Sequence, residues 1–431
     1  MRSIKINLSK KSLSAWDAAV LLLENYLNSK LKADQVLEQL GELAVDQSRA
    51  SCQSLFLGAL RHGHRSRAAF QPLLRKSPRP RVQAILYVAA FECDAEASER
   101  HPKIVHHAVE RSKQLVNRFE QRFLNAVLRQ LPAALAAIDE ADAPADFYSH
   151  PAWLVQHWMA QFGDTATRAL LQWNQRIPEL RIRLYQQPAL LPEFLLPTDW
   201  PGFYSITRSA NWQHELQPLL CSGTAYIKDP STRLAPELLA PGPGMDVLDL
   251  CAAPGGKSYE LAHHMQHRGR IVAVDLPGKR IARLEENLRH LSRTGVDARI
   301  LESDLLSLTA AAFRARQLPE HYDAVMLDAP CSNTGVIQRR TDVKWRLLPK
   351  DIPQCAELQL KLLAAAATWV KPGGRLVYST CSIEHAENHA VVDAFLRAPA
   401  GALFKQKESV ISLPWQTGHD GAGVHLLERS L

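Results

Sequence analysis

Apolar residues recur at three- and four-residue intervals through the first third of the chain. Trp16, Val20, Leu23 and Leu27 share one helix face, as do Leu57 and Leu60 and, later, Phe123, Val127 and Leu128. Gly63 and the Ser77-Pro-Arg-Pro80 stretch interrupt the pattern. No strand-like alternation of useful length appears over 13–132, so residues 1–135 read as an all-helical domain built on a bundle of about 120 residues, an ordinary domain size. An Ala-, Asp- and Pro-rich stretch from Leu131 to Ala145 then leads into a different region. His150-Pro151 precedes an amphipathic helix with Trp153, Leu154, Trp158 and Phe162, and 181–185, 204–207 and 225–228 resemble short strands. This predicts a small α+β linking unit over 146–229.

From residue 230 to 431 the rhythm changes again. Apolar strand candidates at 246–250, 270–275, 298–304, 322–328 and 374–379 alternate with helical segments at 257–267, 279–293 and 354–370. That order predicts an α/β domain with a mostly parallel sheet covered on both faces. Ligands of such sheets sit outside the carboxyl ends of the strands. The chemically informative residues fall at those ends.

Composition narrows the picture. The chain has 431 residues, 46% of them apolar, enough for several cores, and no apolar run approaches the ~18 residues of a membrane span. The N-terminal MRSIKINLSKKSLSAWDAAV is basic without a secretory apolar core. Seven cysteines, at 52, 93, 221, 251, 331, 355 and 381, show no C-x-x-C spacing. A disulfide framework is therefore not expected, and reduced thiols suit the cytoplasm. The expected protein is a cytoplasmic monomer with no membrane partner.

Net charge is +7, unevenly spread: residues 1–130 hold 21 Lys and Arg against 12 Asp and Glu. Arg61, Arg65, Arg67, Arg75, Lys76, Arg79 and Arg81 occur with no acidic residue between them, and Arg111, Lys113, Arg118, Arg122 and Arg129 form a second group. Such local excess suits a polyanion such as RNA, the bland alternative being a solvated helix face. His263 and His267, at i and i+4, could share a metal. No third ligand follows nearby, and a solvated face is expected instead.

The first strand of the α/β region ends in Asp249-Leu-Cys251-Ala252-Ala253-Pro254-Gly255-Gly256-Lys257. Glycines there let a ligand approach the backbone, and helix-start amides can bind a polar group. The dehydrogenase fingerprint G-x-G-x-x-G is absent. Asp275, ending the second strand, is placed to accept from ribose hydroxyls, and Asp304, ending the third, to bond an adenine amino group. This favours S-adenosylmethionine (SAM) over NAD.

Asp328-Ala-Pro-Cys331 ends the fourth strand and Thr380-Cys381 the fifth. Neighbouring strand ends would bring both thiols to one pocket. Cytosine C5 is a poor nucleophile, but a thiolate adding at C6 makes C5 enamine-like and able to attack a sulfonium methyl. Loss of the C5 proton and of the thiol completes transfer. Asp328 could bond the cytosine amino edge and N3, and a protonated carboxyl there would favour ring activation. Lys257 and Lys344 are candidate supports. Cys52, Cys93, Cys221 and Cys355 read as small hydrophobes. The chemistry alone leaves open which thiol attacks.

These residues resemble the RNA 5-methylcytosine methyltransferases of the Nop/Sun family. Cys251–Lys257, Asp328-Ala-Pro-Cys-Ser-Asn-Thr-Gly-Val336 and Tyr378-Ser-Thr-Cys-Ser382 reproduce its cofactor, fourth and sixth motifs; Thr341-Asp-Val-Lys-Trp345 and Glu387-Asn388 fit as well. The resemblance implies a class I SAM-dependent fold, Rossmann-like, with a seven-stranded sheet whose last strand is antiparallel. It implies Cys381 as nucleophile, Cys331 as the aid to product release, and cofactor contacts from Cys251–Lys257, Asp275, Asp304 and Asp328. The N-terminal part is similar to NusB-like RNA-binding domains in Leu57-Gly-Ala-Leu-Arg61 and Arg122–Arg129, and His150-Pro-Ala-Trp153 matches the start of the linking region. The three-part arrangement resembles bacterial small-subunit ribosomal RNA cytosine-C5 methyltransferases, so the implied substrate is small-subunit rRNA. The rival readings are a tRNA methyltransferase, a DNA cytosine methyltransferase attacking through Pro330-Cys331, and a non-catalytic RNA-binding or ribosome-assembly factor with a relic SAM pocket. The chain departs from the family pattern at Lys228-Asp229, where Gln-Asp is usual, at Asp275-Leu-Pro-Gly-Lys-Arg280, and at Asp420-Gly-Ala422-Gly423, where aromatics usually follow.

Overall fold

In a computed structural model, which describes residues 13–41, 49–207 and 209–431, the chain packs into two units. The basic residues within 1–12 of the N-terminal stretch lie outside the described residues. One unit comprises 1–176 together with 337–346; the other comprises 177–336 and 347–431. The split falls within the segment read from sequence as one linking unit. The helices Ala152–Phe162 and Asp164–Gln175 belong to the first unit, and the strands that follow belong to the second.

The first unit is helical because its sequence offers apolar stripes of period 3.6 and no β alternation. Ala15–Asn28 starts at Ser14, whose side chain accepts from the Asp17 amide. Arg118–Ala136 starts at Asn117, in a reciprocal cap with Glu120. Trp16, Val20, Leu23, Phe56, Leu60, Ile85 and Leu128 are buried in one core. Burial of a Leu or Phe side chain stabilises by ~1.5–3 kcal/mol.

The excursion 337–346 is anchored in this helical unit by specific bonds. Asp342 Oδ2 accepts from the Ala33 amide at 3.2 Å, Lys344 Nζ donates to Arg61 O at 2.6 Å, and Trp345 Nε1 donates to Leu60 O at 2.8 Å. Arg61 Nη2 donates to Gln338 O at 3.0 Å. The Trp345 ring lies over Gly63, where an added Cβ would stand 1.9 Å from it.

The second unit carries two sheets. The small one contains β1 (Arg181–Leu184), β2 (Leu195–Pro197), β3 (Phe203–Ile206) and β4 (Ala225–Ile227), antiparallel in the order β2-β3-β1-β4. The large one contains β5 (Asp246–Leu250), β6 (Arg270–Asp275), β7 (Asp297–Glu302), β8 (Tyr322–Asp328), β9 (Val370–Thr380), β10 (Phe404–Ser412) and β11 (Ala422–Arg429), in the order β10-β11-β9-β8-β5-β6-β7. β5 through β9 pair in parallel; β11 is antiparallel to both its neighbours. This is the Rossmann-like seven-stranded fold expected. β9 begins before 374 because its pairing with β8 tolerates an irregularity around Gly373-Gly374. β7 ends at Glu302, two residues before Asp304.

Gly63→Ala tests the seat of the Trp345 ring. Alanine is the better helix former, so propensity alone predicts a gain. We expect instead a loss of ~1–3 kcal/mol in urea unfolding from overpacking, reduced when Trp345 is also shortened to leucine. A stability gain in the single variant would contradict the packing account.

Candidate active site

β5 ends at Leu250, and Cys251 turns the chain with a φ of 61°. Gly255 follows at a φ of 101°, and the helix Gly256–His264 begins. These left-handed conformations suit glycine and strain cysteine. The loop is tied down on all sides. Asp275 Oδ2 accepts from the Ala253 amide at 2.8 Å, Asn287 Nδ2 donates to Pro254 O at 2.7 Å, and Arg280 donates to Ala253 O. Ala252 and Ala253 are buried; Pro254 is exposed.

Lys228, where glutamine is usual in the resembled family, closes the loop from the other side. Its Nζ meets Glu260 Oε1 at 2.7 Å, Tyr185 Oη at 2.6 Å and Gly256 O at 3.2 Å. Arg183 Nε stands 3.3 Å from the same Glu260 oxygen. Burial pushes the Lys228 ammonium down to about 8, with Glu260 opposing that shift. The buried Glu260 thus supplies the counter-charge that a lysine at this position requires.

Three carboxylates gather at the ends of β5, β6 and β8. Asp275 is buried and also accepts from the Leu276 amide at 2.8 Å. Asp328 pairs with Lys257 Nζ at 2.5 Å and accepts from Ser379 Oγ at 3.0 Å. Asp249 is fully buried; Ser258 Oγ donates to its Oδ2 at 2.6 Å, and its Oδ1 has no hydrogen-bond partner. Burial, with repulsion from Asp328 and Asp275 behind it, pushes the Asp249 carboxyl up to about 7. Burial would lower the Lys257 ammonium, but Asp328, and further off the Cys381 sulfur, hold it above its ordinary value. Three acids beside the helix-start amides of Gly256–His264 fit a ligand that carries both an ammonium or sulfonium and a carboxylate, as SAM does.

Asp304 sits differently. It is exposed, past the end of β7, and its Oδ1 caps the Leu306 amide at 3.0 Å. Lys344 is likewise committed elsewhere, inside the helical unit, where burial and the Arg61 charge press its ammonium well below the ordinary range.

β8 and β9 are parallel neighbours, with Asp328 opposite Ser379. The loops that leave them bring Cys331 Sγ and Cys381 Sγ to 3.1 Å. Both cysteines are partly exposed. Asn333 Oδ1 lies 3.3 Å from Cys381 Sγ, while its Nδ2 donates to Cys331 O at 2.7 Å. The contact with Cys381, then burial, pushes the Cys331 thiol well above the usual thiol range, so it stays protonated.

The loops are clamped by Glu387, which is fully buried. It accepts from the Ser332 amide at 2.9 Å, from Ser382 Oγ and Gln359 Nε2 at 2.8 Å each, and from Ser332 Oγ. Asn388 accepts from Thr380 Oγ1 at 2.8 Å and donates to Ser382 O and Glu384 O at 3.0 Å each. At Gly423 an added Cβ would stand 2.0 Å from Asn388 Oδ1. The chain's departure at Ala422-Gly423 therefore makes room for Asn388. Among residues not picked from sequence, Asp249, Asn333 and Glu260 belong to this site. Asp249 and Asn333 lay inside the motifs already singled out; only the lysine at 228 hinted at a buried acid partner.

The two basic groups divide. Arg61 is buried; Arg65 pairs with Asp94 at 2.9 Å, Arg79 with Glu120 at 2.5 Å, Arg81 with Glu24 at 2.7 Å, Lys113 with Glu110 at 2.5 Å, and Arg111 with Asp17. Arg67, Arg75, Lys76, Arg118, Arg122 and Arg129 are exposed without an ion pair among the described residues. His263 packs against Tyr185, and His267 Nδ1 bonds Thr294 Oγ1 at 2.9 Å. Cys52 and Cys93 are core residues; Cys221 is exposed. No helix among the described residues is long and apolar enough to cross a membrane.

Comparisons with known proteins bear on this geometry. Residues 236–416 match the family described as 16S rRNA methyltransferase RsmB/F, and residues 9–132 match the NusB family. The chain is 30% identical over 437 residues to ribosomal RNA small subunit methyltransferase B of Pseudomonas syringae pv. tomato, covering 94% of this chain and 93% of that one. It is 29% identical over 400 residues to the probable ribosomal RNA small subunit methyltransferase B of Bacillus subtilis, covering 89% and 87%. Among solved structures, that of PH0851 has the same fold, with a TM-score of 0.75 at 23% identity over 98% of this chain and 100% of that one.

Two measurements test the site. Asp249 has a raised folded-state pKa, so its contribution to stability is present below the ordinary carboxylate pKa and is lost as pH rises toward about 7. In thermal melts, Asp249→Asn is expected to flatten the decline in stability across that window, leaving the variant relatively more stable near neutrality; a profile identical to wild type would count against a buried, protonated acid. Glu387→Gln replaces an acceptor oxygen with a donor facing donors, and should cost ~1–3 kcal/mol in urea unfolding.

Proposed function

Because the chain belongs to the 16S rRNA methyltransferase RsmB/F family, we propose that it methylates cytosine C5 in small-subunit rRNA, using SAM, through a covalent adduct on Cys381. SAM supplies an electrophilic methyl group on a sulfonium. The loop 251–257 and Asp275 are the residues that would hold it, with Asp328 at the boundary to the base. Asp304, which caps its own helix turn, is the weakest member of the cofactor set.

The observation that carries the reading is the 3.1 Å approach of two thiols beside a lysine–aspartate pair at the ends of adjacent strands. The Cys381 thiolate adds to C6 of an unstacked cytosine, and the C5–C6 double bond is spent in forming the S–C6 bond. Cys331, held as a thiol, stabilises the neighbouring sulfur by donating toward it. Lys257 keeps positive charge near that sulfur, which favours the thiolate. After C5 has gained its methyl group it loses its proton to a base, the double bond re-forms, and Cys381 leaves. Cys331 serves this release. Asp328, paired with Lys257 and accepting from Ser379, meets the cytosine amino edge.

The helical residues 1–135 hold structured RNA through phosphates and shape, with Arg67, Arg75, Lys76, Arg118, Arg122 and Arg129 free to do so. The same reading has the chain act in the cytoplasm as a monomer.

Cys381→Ala should abolish methyl transfer to small-subunit rRNA, whereas Cys331→Ala should accumulate a covalent protein–RNA adduct that survives denaturing gels. Wild-type turnover by Cys381→Ala on purified RNA, or an adduct formed by that variant, would overturn the assignment. Bisulfite sequencing of RNA from cells with and without the protein identifies the nucleotide and separates rRNA from tRNA.

A further inference from the structure

One cavity in the helical unit is used by nothing described so far. It has a volume of about 230 Å³, below the ~300 Å³ at which drug-sized pockets begin. Its walls include Phe70, Tyr87 and Trp345, with Arg67, Gln71 and Gln83 among its polar lining. The rings brace one another: Phe70–Tyr87 and Tyr87–Trp345 centroids are each 5.0 Å apart, at 72° and 67°. Trp345 is further held by its bond to Leu60 O. The Tyr87 hydroxyl makes no hydrogen bond among the described residues, and burial pushes its pKa up to about 12, so it remains a neutral donor.

Charge decides the occupant. No acidic residue lines the cavity, and none occurs in the sequence between Arg61 and Arg81. Arg67 is exposed and unpaired among the described residues, and Arg75 and Lys76 extend from the loop that supplies Leu74, Ser77 and Pro78 to the wall. The Arg79–Glu120 pair joins that loop to the start of the helix Arg118–Ala136, where Phe119 is 82% exposed between Arg118 and Arg122. An aromatic cavity with Arg67 and the exposed Gln71 amide in its lining, and with Arg75 and Lys76 on the adjoining loop, has the parts used to bind single-stranded RNA.

We propose that this cavity receives one unstacked base of the RNA substrate, packed on Tyr87 and Trp345, with Arg67 on an adjoining phosphate. This rests on the reading of the chain as an RNA methyltransferase. The base is a second one, distinct from the cytosine at the thiols, and it makes the helical unit a reader of a loop or bulge rather than a passive electrostatic surface.

The test uses the full chain and a small-subunit rRNA transcript carrying 4-thiouridine, irradiated and mapped by mass spectrometry. Crosslinks are expected on peptides containing Tyr87 or Trp345. Arg67→Glu, and Gln71→Trp, which fills the cavity mouth from an exposed position, should each weaken RNA binding about tenfold and lose the crosslink. Both should leave SAM binding and the melting temperature intact. Arg67→Glu should also lower the slope of log affinity against log salt by about one. Wild-type RNA affinity in both variants, or crosslinks confined to other surfaces, would overturn the proposal. So would crosslinking of the cavity to a ribosomal protein, in small-subunit particles, without crosslinking to RNA. Crosslinks at the cavity in a wild-type chain that transfers no methyl group would instead sink the enzymatic reading and leave the base site standing.

Discussion

The catalytic half of this protein depends on two parallel strands lying side by side. Parallel neighbours end at the same edge, so the loops leaving β8 and β9 emerge together. That places two cysteines 50 residues apart in sequence within 3.1 Å of each other. Strand adjacency alone would leave the loops free to diverge. The buried Glu387 removes that freedom by accepting from the residue after Cys331 and from the residue after Cys381. Burying one carboxylate is costly, and the cost is met only while its donors stay in place. The thiol geometry and the hydrogen-bond set therefore stand or fall together.

The proposed cofactor cradle obeys the same logic with more charge. Asp249, Asp275 and Asp328 converge where Lys257 pairs with Asp328 and Arg280 stands 3.7 Å from Asp275. Burial, with repulsion from Asp328 and Asp275 behind it, favours a proton on Asp249. A bound cation would relieve that repulsion, so the acidity here favours a sulfonium ligand. Lys228 and Glu260 form a buried pair beside the same loop, with Arg183 also 3.3 Å from the Glu260 carboxylate.

The helical unit shows how a motif can serve two places. Thr341–Trp345 lies in sequence between the two cysteine loops, yet packs with residues 1–176. Asp342, Lys344 and Trp345 each satisfy a backbone group there. Half of the twelve candidate RNA-binding cations in this unit are spent on internal ion pairs or burial. Of the remaining exposed ones, Arg67 lines the aromatic cavity, and Arg118 and Arg122 flank the exposed Phe119 in sequence.

Period and spacing in the sequence determined the helical first domain, the β/α alternation, the cofactor loop and both cysteines, because these features are local or repeat along the chain. Their legibility did not extend to partners. Asp304 falls past its strand, Lys344 is anchored in the other unit, and six of twelve candidate RNA-binding cations are already engaged. Lys113 has its partner Glu110 three residues away, but the carboxylates paired with Arg65, Arg79, Arg81 and Arg111 lie 29 to 94 residues off, so nothing local marks those arginines as engaged. The same holds for Glu387, Asn333 and Asp249, whose roles arise from distance and burial. Only the folded chain sets the dielectric and the neighbours of a charge, and those set its chemistry.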